Sequence, residues 1–404
     1  MPASSRDCRA TRARGPFSIG VDADGGEQDQ VLVNVDAVDL DHQQAQLGQI
    51  GLQSSTNFLI ALIKIVAVLG VLLGVVAYTV LVERRVAAAI QNRIGPNRVG
   101  WQGLLQPLAD GLKMFTKEDF IPQTPNRFLF ILGPGLFIVT ALMTSAVIPW
   151  GSTLTFFGRQ ISLQVADINV AILFVFGVVS IGVYGIMIGG WASNNKYSLL
   201  GALRASAQMI SYELAMGIAL IALIISSGGS LSFSEIVAGQ NKGFANIVWQ
   251  PLGFLIFFIC ALAETNRAPF DLAECETELV GGYHTEYSSF KLGLFLFAEY
   301  INMFVSSAVM AGFYFGGYNF PFADEFYQAM GWHYGDWQIS LLGFMAYFTK
   351  TLVFISLFMW IRWSIPRFRY DQLMNLGWKT LLPLSLLNLA ITVVIEIFRG
   401  HLHL

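Results

Sequence analysis

The chain of 404 residues is 54% hydrophobic, 13% aromatic and only 13% charged, with a mean hydropathy of +0.57, whereas soluble domains carry about 25% charged residues. This is the composition of a polytopic membrane protein, and the net charge of -3 excludes a nucleic-acid binder held by phosphate contacts. Cys8, Cys260 and Cys275 have no close spacing, which excludes an iron–sulfur cluster or zinc site built within this chain.

Residues 1–55 contain Arg6, Arg9, Arg12 and Arg14, then Gly- and Asp-rich sequence with one aromatic, Phe17. They have no helical or strand period and lack the apolar run of a signal peptide. They are expected to be a disordered tail, with a start of translation near Ser55 or Thr56 as the alternative origin of the segment; residues 56–404 form the membrane domain. A spanning helix needs about 20 mainly apolar residues. Eight runs meet that requirement, near 57–82, 127–149, 167–191, 206–226, 247–263, 290–316, 339–362 and 379–398. They predict an all-α polytopic fold with eight transmembrane helices.

Basic residues set the orientation, because cytoplasmic loops hold the excess. The junctions after the first, third, fifth and seventh runs, with their flanks, hold fifteen Lys or Arg, and the opposite side holds Arg159, Lys242 and Arg399. Those four junctions are therefore expected in the cytoplasm and both termini on the outer face.

The first junction, residues 83–126, is too long for a turn. Leu104, Leu105, Leu108, Leu112 and Phe115 fall on one helical face while Asp110, Lys113 and Lys117 project elsewhere, which predicts an amphipathic helix at the membrane surface with Pro107 in its first turn. Packing of that helix under a neighbouring span is the plainer reading. Before it, Gly95, Pro96 and Gly100 make a turn-rich loop beside Arg93 and Arg98, whose guanidinium groups suit an acidic partner or a polar headgroup. In the third run, Gly177, Gly182, Gly185, Gly189 and Gly190 predict close helix packing. Lys64 and Lys350 are lone bases inside apolar runs and either snorkel or pair with an acid not evident from spacing.

The most informative stretch is 264–287, ETNRAPFDLAECETELVGGYHTEY. It holds Glu264, Asp271, Glu274, Glu276, Glu278 and Glu286 against one base, Arg267. A carboxylate at the bilayer centre costs about 2.5–3.5 kcal/mol on insertion scales, so acids crowded beside spans point to proton handling. Pairing of Glu264 with Arg267 in a local cap is the plainer reading of that acid. On a short helix opened by Pro269, Asp271, Glu274 and Glu278 would share one face and titrate as a coupled set. A solvated acidic surface docking onto a basic partner is the alternative. Glu213, Glu299 and Glu396 are acids within apolar runs. Arg362, Arg367 and Arg369 stand with Asp371 around Pro366 after the seventh run, as topology determinants or as anchors and gates for a partner.

LVERR, IGPNRVGWQGLLQPLADGLKMFTKE, GWASNNKYSLLGALRASAQMISYE, AETNRAPFDLAECETELVGGYHTEY, FAEY and PRFRYDQLMNLGWKTLLPL, in this order over about 57–398, resemble the membrane subunit 1 family of proton-pumping NADH:quinone oxidoreductase, respiratory complex I. The resemblance implies a bacterial inner-membrane subunit that helps form a quinone chamber entered from the lipid and joins the redox arm to the pumping arm. Quinone would be its substrate. Flavin mononucleotide (FMN) and iron–sulfur clusters would lie in partner subunits, with small membrane subunits, antiporter-like subunits and quinone-site soluble subunits as neighbours. Glu213, Glu264 and Glu299 then match a proton path, 271–286 a coupling loop that responds to quinone reduction, and Glu83, Arg84, Asp110 and Lys113 positions at the quinone entrance or chamber. Related membrane subunits of energy-converting hydrogenases are the runner-up. A stand-alone proton-coupled transporter, for which no internal repeat is evident, and a purely structural anchor are alternatives of another class.

Overall fold

The computed structural model describes residues 38–122, 126–156, 159–240, 245–273, 279–320, 323, 327, 330 and 337–399, with side chains from Phe58 onward apart from 156, 159 and 160. The chain separates into two units, 1–57 and 58–404. The first helix, α1, is Val38–Ile90. Residues 38–55, expected to lack regular structure, are therefore helical, in keeping with the helix-favouring Gln, Leu and Ala of that stretch. The rest of the expected tail lies outside the described residues.

Seven helices among the described residues are long and apolar enough to cross a membrane: Phe58–Ile90 within α1, Arg127–Val147, Ala171–Ala192, Lys196–Ser226, Ser289–Phe315, Trp337–Ser364 and Tyr370–Phe398. Between the first two lies α2 (Gln106–Thr116), the expected amphipathic helix with Pro107 in its first turn. The regular part of the second span is α3 (Arg127–Thr144), begun by Asn126, whose side chain accepts from the backbone N–H of Phe128. The next two are α4 (Ala171–Ala192) and α5 (Lys196–Ser226). The latter starts ten residues before the expected run, because Asn195 caps it through the N–H of Tyr197 and Lys196 and Arg204 ride on its polar first turns.

The expected fifth span, 247–263, is not one continuous helix and is not among these seven. After α6 (Phe233–Gly239) it consists of a single turn, α7 (Asn246–Trp249), and a 14-residue helix, α8 (Pro251–Glu264). The break falls at Gln250, at φ -133° and ψ 57°. The proline after it disfavours helical backbone there, and buried Gln250 donates to the Ala222 carbonyl at 2.8 Å. The bundle continues with α9 (Ser289–Phe315) and α10 (Trp337–Ser364). The last span joins α11 (Tyr370–Asn375) to α12 (Leu382–Phe398) through a wider π turn, Leu376–Leu381. Pro383 cannot donate to the carbonyl four residues back, and the wide turn absorbs that lost bond.

A two-stranded antiparallel ribbon, β1 (Thr153–Phe156) and β2 (Arg159–Ser162), lies between α3 and α4 with Thr153 opposite Ser162. No strand is expected there from the sequence. The ribbon is tied to the start of α10, where Ser340 donates to the Thr153 carbonyl at 3.0 Å.

The glycines of α4 set its packing. A Cβ on Gly185 would lie 2.9 Å from the Phe137 nitrogen, one on Gly133 would lie 2.8 Å from the Gly189 α-carbon, and one on Gly190 would lie 2.3 Å from the Ala202 β-carbon. Thus α3 and α5 press on α4 at backbone range. Gly177 differs from the expectation, since no atom lies within 4 Å of its Cβ position.

Neither lone base bonds a carboxylate among the described residues. Lys64 reaches the Gln164 carbonyl at 3.3 Å and the Ser162 hydroxyl at 3.4 Å. Lys350 donates to the carbonyls of Phe315, at 2.7 Å, of Gly317, at 2.8 Å, and of Asn319, where α9 ends in left-handed Gly316. Its charge neutralises the negative end of the helix dipole. Lys350→Met keeps the apolar stem and removes these bonds, so it is expected to cost about 2 kcal/mol and lower the denaturation temperature of the detergent-extracted protein. An unchanged midpoint would show that water replaces the ammonium.

Candidate functional site

The 264–287 junction, where the charge is densest, is folded back on the ends of the bundle. Residues 265–273 contain no helix, and the Ala268–Pro269 peptide is cis. The helix expected to open at Pro269 is therefore absent there. Glu274, Glu276 and Glu278 lie outside the described residues. The expected shared face of Asp271, Glu274 and Glu278 therefore falls mostly outside the described residues, and among the acids described Asp271, Glu286 and Glu264 each have their own surroundings.

Asp271, 4% exposed, pairs with Arg367 at 2.8 Å. The N–H of Phe368 donates to the Pro269 carbonyl at 3.2 Å, and the Phe270 and Phe368 rings lie 5.5 Å apart. The loop is thus clasped to the chain between α10 and α11. Glu286 accepts from the Asn195 side chain at 2.7 Å, and the Tyr283 carbonyl accepts from Ser198, which fastens the far end of the junction to the start of α5. Gln208, fully buried on α5, donates to the carbonyls of Ala263 at 2.7 Å and Phe270 at 2.8 Å. It ties the end of α8 to the loop, and nothing in its local sequence announced that role.

Arg267 does not cap Glu264. Its guanidinium, 4% exposed, donates to Glu83 at 2.7 Å, and the other Glu83 oxygen accepts from Arg362. Glu83 belongs to α1 and Arg362 to α10, so one buried carboxylate joins two spans and the loop. The Arg267 guanidinium also lies 3.8 Å over the Tyr300 ring. Burial by itself would push this group down, but Tyr300, Glu83 and Glu299 around it outweigh burial and hold it above the ordinary arginine value. Glu299, 5% exposed on α9, accepts from the Tyr283 hydroxyl at 2.7 Å. A row of buried polar groups therefore runs from Glu83 through Arg267 toward Glu299 and Tyr283.

A second acidic pair stands beside this row. Glu213 on α5 accepts from Ser180 on α4, and its charge is felt by Glu264 at the end of α8. Tyr212, next to Glu213, donates to the Leu373 carbonyl at 3.0 Å and packs on Gly377 at the wide turn. Two carboxylates within electrostatic reach, both partly buried, are the arrangement in which uptake of one proton changes the affinity for the next.

The residues expected at an entrance are divided. Arg84 pairs with Asp110 at 2.7 Å, Lys113 approaches the same carboxylate at 3.9 Å, and Gln106 donates to it at 3.1 Å. They form one half-exposed group between α1 and α2, while Glu83 turns inward. Leu108, Leu112 and Phe115 leave the apolar face of α2 exposed. Arg93, bonded to Gln91, is exposed, as are Arg98 and the Arg369–Asp371 pair at 3.6 Å. Arg362, expected with this outward group, instead serves Glu83. Glu396 pairs with Arg399 at 3.1 Å at the opposite end of the bundle.

Residues 63–393 match the family model described as NADH dehydrogenase. The chain is 59% identical over 330 residues to the first H subunit of the NADH-quinone oxidoreductase of Cytophaga hutchinsonii, covering 82% of this chain and 94% of that one. It is 49% identical over 339 residues to the H subunit of the NADH-quinone oxidoreductase of Thermomicrobium roseum, covering 82% and 94%. It is also 50% identical over 313 residues to NADH-quinone oxidoreductase subunit 8 of Rhodothermus marinus, covering 76% and 89%.

Proposed function

The chain belongs to the NADH dehydrogenase family, as a multi-pass bacterial membrane subunit of the H type in NADH-quinone oxidoreductase, and from that premise we propose that its buried carboxylates couple quinone reduction to proton movement. The observation that carries this reading is the pair Glu213–Glu264 standing beside the Glu83–Arg267–Glu299–Tyr283 row. Charge appearing at a reduced quinone near the end of α1 would shift the balance around Arg267. The adjoining acids would then take up or release a proton, because interacting sites titrate as a set.

Arg84, Asp110 and Lys113 stand at the mouth of the quinone chamber in this reading. The exposed apolar face of α2 lies in the lipid surface or against a partner, and the electron carriers belong to partner subunits. The excess of Lys and Arg beside Glu83 and the 264–287 junction supports a cytoplasmic position for this end and an outer position for both termini. The exposed Arg93, Arg98, Arg369 and Asp371 face the soluble arm there. Asp271 and Glu286, each held by a polar partner, keep the loop docked and do not carry protons.

The test is Glu213→Gln and Glu264→Gln, separately, in the assembled complex reconstituted into vesicles. Loss of a positioned proton carrier is expected to slow coupled proton movement by about a hundredfold, with the amount of assembled complex unchanged. Pumping per electron equal to the unsubstituted complex in both variants would reduce this end of the subunit to a structural anchor.

A further inference from the structure

We propose that a groove between α1, α9 and α10, at the end of the bundle remote from Glu83, binds one anionic phospholipid of the surrounding bilayer, with its phosphate on the Lys64 ammonium. The groove has a volume of about 190 Å³ and opens between helices that cross the membrane. Val68, Val71, Phe304, Phe344 and Phe348 make its walls apolar, and Lys64 lines it at one end. A cation with three donors is partly satisfied there, by a carbonyl at 3.3 Å and a hydroxyl at 3.4 Å, with no carboxylate bonded to it among the described residues. Trp150, 7% exposed, also lines the groove, and its indole N–H has no acceptor among the described residues.

Depth decides which anion fits. Lys64 and Glu83 are separated by about 28 Å along α1 at 1.5 Å per residue, close to the roughly 30 Å hydrocarbon thickness. With Glu83 and its arginines at one headgroup level, Lys64 stands at the other, where lipid phosphates are. A phosphodiester supplies the anionic acceptor that the ammonium lacks, and an acyl chain matches the phenylalanine and valine walls. A neutral quinone headgroup would leave the ammonium without a counter-charge.

The experiment exchanges the assembled complex into phosphatidylcholine nanodiscs, adds phosphatidylglycerol and counts retained phosphatidylglycerol per complex by mass spectrometry. Unsubstituted and Lys64→Arg complexes are expected to retain one more phosphatidylglycerol than Lys64→Leu, whose apparent affinity for it falls about tenfold for one lost charge contact. Val71→Trp, which fills the groove and keeps the ammonium, is expected to lose the same lipid. Equal retention in all four complexes would overturn the site. Should the variants fail to assemble, a density map of the unsubstituted complex decides: a phosphate within about 3 Å of Lys64 Nζ supports the site, and a quinone, a protein segment or no lipid in the groove overturns it. Lipid content is read independently of proton pumping, so this result and that of the Glu213 and Glu264 variants fail separately.

Discussion

Arg267→Met is expected to destabilise the membrane domain by about 3–5 kcal/mol, the cost of removing one partner from a buried ion pair. Glu83, 4% exposed, would keep Arg362 and the Tyr300 side chain but lose its buried counter-charge, and the guanidinium contact with the Tyr300 ring would be lost. Glu83 is the tie between α1, α10 and the loop after α8, so the damage is expected as a fall in assembled subunit in the membrane and in the denaturation midpoint of what remains. The sign can be reversed. Glu83→Gln combined with Arg267→Met removes both charges, and Arg362, whose side chain is 29% exposed, can turn to water. The double variant is therefore expected to recover more than half of the loss. A double variant no more stable than Arg267→Met would mean that the ring contact and packing of the arginine stem, and not the charge pair, hold the loop. Arg267→Lys is not an equivalent change, because an ammonium cannot both bond Glu83 and lie flat on a ring.

Why this cluster escaped the sequence is a matter of distance along the chain. Arg267 is 184 residues from Glu83 and Arg362 is 279 residues from it, whereas helical periodicity relates only residues a few positions apart. Local hints were present, a lone arginine in an acidic stretch and a glutamate at the end of an apolar run. Proximity along the chain pairs Arg267 with Glu264, its nearest acid, and the fold does not. The same limit explains Lys64 and Lys350, whose bonded acceptors are backbone oxygens and a hydroxyl, groups that leave no mark in a pattern of charges.

What depended on local pattern was legible. The long apolar runs became the crossing helices, the leucine face of 104–115 became α2, and four of the five glycines of α4 touch their neighbours. Failures fell where one residue overrides a run: Gln250 with Pro251 divides the expected fifth span, and Pro269 turns the chain instead of opening a helix. Of the candidate acids, Glu213 and Glu264 come within electrostatic reach of each other, and Glu299 within reach of Arg267. Asp271 is held by Arg367, which comes from another junction and which no local spacing could have paired with it.

Gly190→Ala is expected to cost about 2–3 kcal/mol, the range for overfilling a packed contact, and to impair coupling in the surviving complex. The added methyl would sit 2.3 Å from the Ala202 β-carbon and 2.8 Å from the Ser198 carbonyl oxygen, so α4 and α5 must separate. Those two helices also carry the Ser180–Glu213 hydrogen bond, about three turns away on α4. Separation at one point is transmitted along rigid helices, and Glu213 would lose the hydroxyl that orients it. Gly190→Ala/Ala202→Gly removes the closest clash and is expected to recover stability and pumping together. Gly177→Ala, on the same helix with no atom within 4 Å of the new methyl, is the matched control. It is expected to be neutral or to stabilise by up to about 1 kcal/mol through helix propensity. Equal effects at Gly177 and Gly190 would refute close α4–α5 packing as the cause. Recovery of stability without pumping in the double variant would separate the packing of α4 from the orientation of Glu213.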